Sequence, residues 1–204
     1  MKNIFSFFVL MAFLVMGNHV QAQQKASKTV KPTQTQTTRS NKAAKTTANN
    51  TKAGQINWMT IEEAQERCKT EPRKIYIDVY TGWCGWCKKM DKTTFVDPAV
   101  VKYINSNYYA VKLDAETKKT ITFNGKEFNY VAEGRRGYNE FASAILQGRM
   151  SYPTSVVLDE EARVIQPIPG YLDGPTMDRV LHYFGEDAYK KQRFEVFEKT
   201  YKPE

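Results

Sequence analysis

The stretch Trp83-Cys84-Gly85-Trp86-Cys87-Lys88 holds the residues of this chain best suited to chemistry. Two cysteines three positions apart on the first turn of a helix bring their sulfurs close enough to form a disulfide with little backbone movement. The N-terminus of such a helix presents unsatisfied N–H groups and a partial positive charge, and both favour thiolate over thiol at Cys84. Thiolate is the attacking species in disulfide exchange. Cys87, one turn further in, is then placed to attack a mixed disulfide on Cys84 and release the partner reduced. The same spacing is also half of a zinc site, which Cys68, His182 or carboxylates would have to complete, and the same thiolates would suit a copper carrier. Exchange is the preferred chemistry. Trp83 and Trp86 flank the pair and can shape a substrate surface, although Trp83 fits a partial core role equally well. Cys68 falls on the apolar side of a helix with Ile61 and Ala64, which favours a buried small hydrophobe over a regulatory thiol.

The surrounding pattern supplies elements to hold these residues. Thr60-Ile61-Glu62-Glu63 has Thr and Glu at capping-box spacing, so a helix begins there and ends near Pro72. Ile75 to Tyr80 is β-branched and aromatic on both faces, as a strand covered on both sides would be, and Asp78 is its one charged member. After Thr81-Gly82 the cysteine helix is entered directly from that strand. Asp97 and Pro98 signal the N-cap and first position of another helix carrying Val100, Val101 and Ile104. Tyr109 to Leu113 predicts a strand, and Ile121 to Tyr130 a hairpin turning at Asn124-Gly125. A helix is expected from about Arg136 to Gln147, ended by Gly148. Ser155 to Leu158 and Arg163 to Pro167 make two last strands, followed by a helix from Pro175 and a further helical segment to about Tyr201. Tyr80, Tyr138 and Tyr152 suit packing. Early alternation of helix and strand with a closing hairpin gives an α/β layer structure with a mixed sheet.

On these residues the chain resembles the thioredoxin family, from about residue 58 to 185. Trp83-Cys84-Gly85-Trp86-Cys87-Lys88 is similar to the family's active-site stretch, with Trp86 where thioredoxins usually have Pro. Asp78, six residues before Cys84, matches the family's buried acid, and Lys112 in Val111-Lys112-Leu113-Asp114 matches the lysine near it. Tyr152-Pro153-Thr154 ahead of a core strand resembles the cis-proline loop that lends backbone groups to an extended substrate. The resemblance implies a thioredoxin-like fold, a central mixed β-sheet flanked by helices, with an inserted hairpin and helix before Pro153 and a C-terminal helical extension. The inserted helix is expected at the sheet edge or in partner choice. It further implies Cys84 as nucleophile, Cys87 as resolving thiol, Asp78 and Lys112 as the acid–base pair, and Trp83, Trp86, Tyr152 and Pro153 as the substrate surface. The absence of the usual proline leaves the redox potential open, and the variant pattern is similar to exported thioredoxin-like proteins of Gram-negative bacteria.

Charge and composition narrow the partners. All of the formal net charge of +8 lies in residues 1–55, which hold eight Lys and Arg and no Asp or Glu; the other 149 residues carry 22 basic and 22 acidic groups. A neutral body lacks the basic excess of a phosphate-binding surface, so no nucleic-acid partner is expected. Lys2, the apolar run Ile4 to Met16 and Val20-Gln21-Ala22 form a secretory signal cut after Ala22. Its thirteen residues, apolar apart from Ser6, span about 20 Å as a helix, short of a hydrocarbon core of about 30 Å, so no membrane span is expected after cleavage. Residues 23–55, rich in Lys, Thr, Gln and Asn, are expected to form a disordered tether, and 56–204 one thioredoxin-like domain. With the family resemblance, these lead to the expectation of an exported, periplasmic thiol:disulfide oxidoreductase acting on protein disulfides, with reduction the preferred direction. No nucleotide or flavin motif is present, so no cofactor is expected and electrons come from a separate, membrane-embedded donor. The alternatives are oxidase or isomerase chemistry, or a binding module in which the two cysteines form a structural disulfide.

Overall fold

A computed structural model describes residues 54–203 of the chain. The expected signal segment 1–22 and all but the end of the expected tether 23–55 lie outside the described residues. A two-residue strand, β1 (Trp58–Met59), leads into α1 (Ile61–Cys68). Thr60 Oγ1 accepts the Glu63 N–H while the Glu63 carboxylate accepts the Thr60 N–H, so two free donors of the helix start are satisfied reciprocally. The helix stops at Cys68, four residues short of Pro72, with Lys69 as its C-cap.

The strand β2 (Lys74–Tyr80) has every residue but the last buried, which explains its lack of a polar face. It is followed by α2 (Gly85–Lys92), by α3 (Pro98–Asn107) and by β3 (Tyr108–Asp114). Asp97 Oδ1 accepts the N–H groups of Ala99 and Val100 at the start of α3. Next come the hairpin β4 (Ile121–Phe123) and β5 (Lys126–Phe128), then the short pair β6 (Tyr130–Val131) and β7 (Tyr138–Asn139), and α4 (Glu140–Ile145). Asn124 and Gly125 both have positive φ at the hairpin turn, as the sequence predicts. The chain closes with β8 (Thr154–Leu158), β9 (Val164–Pro169), α5 (Gly174–Gly185) and α6 (Phe194–Thr200).

The expected helix at 136–147 is shorter than its periodicity suggests. Tyr138 pairs with Val131 as a strand, and Asn139 caps the helix by accepting the Phe141 N–H at 2.9 Å. Gly137 lies against the Val131 carbonyl and the Tyr130 ring so closely that a Cβ would clash, which fixes glycine where β7 crosses β6.

Five strands form the central sheet in the order β1-β3-β2-β8-β9; β1, β3 and β2 run parallel, β8 runs antiparallel to β2, and β9 runs antiparallel to β8. One face of β2, with Ile75, Ile77 and Val79, packs under α1, α4 and the β4–β5 hairpin. The other face packs Tyr76 with Met90 of α2, Val100 and Ile104 of α3, and Met177 and Leu181 of α5. The inserted helix α4 therefore covers the sheet's face, not its edge. Its anchor is Phe141, 1% exposed and in contact with Phe123 and Phe128 at ring separations of 4.9 and 5.4 Å. Phe141→Ala is expected to lower stability by about 3–5 kcal/mol, read as the shift of the urea midpoint at unchanged slope. β9 is an edge strand carrying Pro167 and Pro169, opposite Val156 and Thr154. The Gly170 N–H points at β8, donating to the Pro153 carbonyl at 2.8 Å. By the two-residue period of the strand, the nitrogens of residues 167 and 169 face away from β8.

Candidate active site

The end of β2 delivers the chain through Thr81 and Gly82 to Cys84, the N-cap of α2. The Cys84 sulfur accepts the Cys87 N–H at 3.1 Å, so it occupies the place where an N-cap oxygen normally sits and feels the positive end of the helix. Cys84 and Cys87 are joined as a disulfide with Cα atoms 5.3 Å apart. Both are buried at 5% and 3% exposure, while Trp83 and Trp86 beside them stand 50% and 56% exposed. Cys87 and Met90 form the buried side of α2; Lys88, Lys89 and Lys92 lie on its outer side. The apolar stripe thus fixes which way the two sulfurs face.

Asp78 is 1% exposed. It alternates with Tyr76 on the face of β2 that α2 covers, and its Cα partners are Lys112 on β3 and Ser155 on β8. Its Oδ2 lies 3.1 Å from Lys112 Nζ, and its Oδ1, fully buried, has no hydrogen-bond partner among the described residues. Burial pushes its pKa up to about 6, against the pull of the Lys112 charge. Lys112 also pairs with Asp91 on α2 and lies 5.0, 5.4 and 4.9 Å from the ring centroids of Trp58, Tyr80 and Phe95. Burial opposes its charge; Asp78 and Asp91 together outweigh that and hold its pKa above the ordinary lysine value.

The Tyr152–Pro153 bond is cis and precedes β8, whose first residue, Thr154, pairs with Val79 of β2. Thr154 Oγ1 donates to the Ser151 carbonyl at 2.8 Å, which ties the loop down. Tyr152 meets the Trp83 ring edge-to-face at 5.9 Å, and Trp83 Nε1 donates to Glu116 at 2.8 Å. Burial, with Glu116 and Asp114 adding to it, raises the Tyr152 pKa to about 12. Trp86 meets Tyr171 at 5.4 Å, and the Tyr171 hydroxyl lies 3.1 Å from that of Thr93 at the end of α2.

The structure therefore gathers Cys84, Cys87, Trp83, Trp86, Tyr152 and Pro153 at one end of the sheet, with Asp78 and Lys112 beneath α2. Asp91, Glu116, Tyr171, Lys89 and Arg136 join the neighbourhood without having been singled out in the sequence. Asp91 carried a usable signal: it lies four residues after Cys87, one helical turn along the same side of α2. Cys68 is half-buried on α1 against the sheet; its thiol donates to the Arg73 carbonyl at 3.3 Å, and burial pushes its pKa up. No group of three or more His, Cys, Asp or Glu residues that could hold a metal ion occurs among the described residues.

A family model for a thioredoxin-like domain matches residues 61–185, more than half of the chain. The chain belongs to the thioredoxin-like family. The matched span runs from α1 through the cysteine pair and the cis-proline to the end of α5, and leaves outside it β1, the short 3-10 turn Ala188–Lys190 and the C-terminal α6. An uncharacterised protein of Caenorhabditis elegans is 29% identical over 77 residues, which is 38% of this chain and 11% of that protein. The thioredoxin-like chain thus spans about a tenth of the length of that curated relative. Among solved structures, a putative disulphide-isomerase from Bacteroides thetaiotaomicron aligns with TM-score 0.48 and 21% identity over 70% of this chain and all of its own. A thioredoxin-fold protein from Helicobacter pylori aligns with TM-score 0.48 and 16% identity, covering 63% of this chain and 83% of that one.

Proposed function

We propose that this thioredoxin-like protein is an exported thiol:disulfide oxidoreductase that reduces protein disulfides in the periplasm. Cys84 thiolate attacks one sulfur of a substrate disulfide; a Cys84–substrate disulfide forms and the other substrate sulfur leaves as thiolate. Asp78 takes the proton of Cys87, whose thiolate attacks Cys84 and expels the second substrate sulfur. Two electrons pass to the substrate, and the protein is left with the Cys84–Cys87 disulfide. A dithiol donor, most suitably a membrane-embedded reductant, restores the pair. Trp83, Trp86, Tyr152 and Pro153 form the ledge on which an extended substrate segment lies.

The observation that carries this is the placement of a buried carboxyl, paired with Lys112 and with one oxygen unpartnered, beneath a helix whose N-cap is a cysteine sulfur. An acid held there at a pKa of about 6 can accept a proton near neutral pH, which a purely structural disulfide does not need. Export rests on the N-terminal apolar run and its small-residue cut site. Among the described residues no helix is long and apolar enough to cross a membrane. The test is reduction of insulin with dithiothreitol as donor: the protein should accelerate precipitation of the B chain severalfold over dithiothreitol alone. No acceleration would favour the binding-module alternative.

A further inference from the structure

Two cation-bearing aromatic pads flank the cysteine pair. In the first, Trp83 stands against Tyr152 and the Arg136 guanidinium lies 4.4 Å from the Trp83 ring centroid. In the second, Trp86 stands against Tyr171, and Lys89 Nζ lies 4.8 and 5.0 Å from the two ring centroids. The pads share no residue. Each begins at a tryptophan adjacent in sequence to a redox cysteine, and these are two of the few large apolar residues left exposed.

The charges around them are unevenly matched. Asp91 is committed to Lys112, and Glu116 accepts the edge N–H of Trp83. Among the described residues neither Arg136 nor Lys89 has a carboxylate partner. A cation held on a ring face is already ordered and partly stripped of water, so an arriving carboxylate gains a charge-assisted contact with less ordering cost than at a free surface lysine. An arriving cation meets repulsion at the Lys89 pad; at the Trp83 pad the Glu116 carboxylate, held only by a neutral N–H, offsets Arg136.

Building on Cys84 as the attacking thiolate, we propose that the Lys89 pad makes this a reader of acidic segments: the favoured substrate is an extended disulfide-bearing peptide with Asp or Glu on the Trp86 side of its cysteine. The insert between β5 and β8 places Arg136 on the Trp83 ring beside Glu116, so it adjoins the cysteine end as well as covering the sheet. The chemistry is the exchange given above, with the Lys89 pad acting on encounter and orientation.

Three peptide disulfides of equal length, with Glu, Gln or Lys flanking the cysteine, test this with dithiothreitol as terminal reductant. Wild type is expected to show kcat/KM for the Glu peptide about tenfold above the Lys peptide at low ionic strength, with the difference shrinking at high salt. The variant Lys89→Glu should invert the order. The Glu-to-Lys ratio is the readout, because it cancels any loss of folded protein. Equal rates for all three peptides, or an order unchanged by charge reversal, would overturn the proposal while leaving the oxidoreductase standing. Failure of wild type to reduce any of the three would overturn both.

Discussion

Cys84→Ser is expected to slow disulfide reduction by about a thousandfold or more, because a serine hydroxyl is essentially never ionised near neutral pH and cannot replace a thiolate. The fold should survive the change. Serine is among the preferred N-cap residues, and its oxygen can accept the Cys87 N–H that the sulfur accepts now. Loss of the disulfide removes a very short covalent loop, for which the chain-entropy relation gives about 2 kcal/mol. Cys87→Ser separates the two halves of the reaction: Cys84 still attacks, no resolving thiol follows, and the protein should accumulate as covalent adducts seen on non-reducing gels. Adducts absent from Cys87→Ser, or a Cys84→Ser protein that still reduces insulin, would sink the assignment of these roles. A disulfide serving stability alone would show only the loss in denaturant resistance.

The second large effect concerns Asp78. In the unfolded chain its carboxyl titrates near 4, and in the folded protein burial raises it to about 6. Between those values the folded protein holds a proton that the unfolded chain has lost. Stability therefore falls as pH rises through that window and stays low above it. Two units of difference correspond to about 3 kcal/mol. Asp78→Asn removes the buried charge and keeps the shape, and Lys112 retains Asp91 as partner. The variant should be more stable than wild type at pH 7 by about 1–3 kcal/mol, with a nearly flat pH dependence from 4 to 7 at this site. It should also resolve the mixed disulfide more slowly, by about a hundredfold, with the step near pH 6 gone from its rate profile. Urea midpoints across pH and rapid-mixing measurement of substrate release check the two halves separately. Wild-type stability rising between pH 4 and 7, or an unchanged rate profile in Asp78→Asn, would falsify the role given to this carboxyl.

Much of this fold was legible because its decisive signals are local. The capping box at Thr60, the Asp97-Pro98 start and the Asn124-Gly125 turn each depend on residues a few positions apart, and each appears where the sequence places it. The buried polarity of Asp78 was legible from Ile77 and Val79 beside it. The short pairs were not: β1, β6 and β7 are two residues long, too brief for a period of two to register. Tyr138 sat at helical spacing with Phe141 and Ala142, and its pairing with Val131 overrode that pattern. At the site, sequence order placed the cysteines, the acid, the lysine and the proline. Tyr171 and Arg136 meet the tryptophans only through tertiary structure, from segments far along the chain, so no spacing rule could point to them.

The prolines of β9 bear on how the protein behaves when crowded with copies of itself. An edge strand ordinarily offers an outward row of N–H donors to which any passing extended chain can add. At Pro167 and Pro169 two successive outward positions carry no hydrogen at all, while the inward ones, such as that of Gly170, remain bonded to the sheet. This border of the sheet is chemically blunted against templated strand addition. The extended partners proposed for the cysteine end would then find no template for aggregation along this flank.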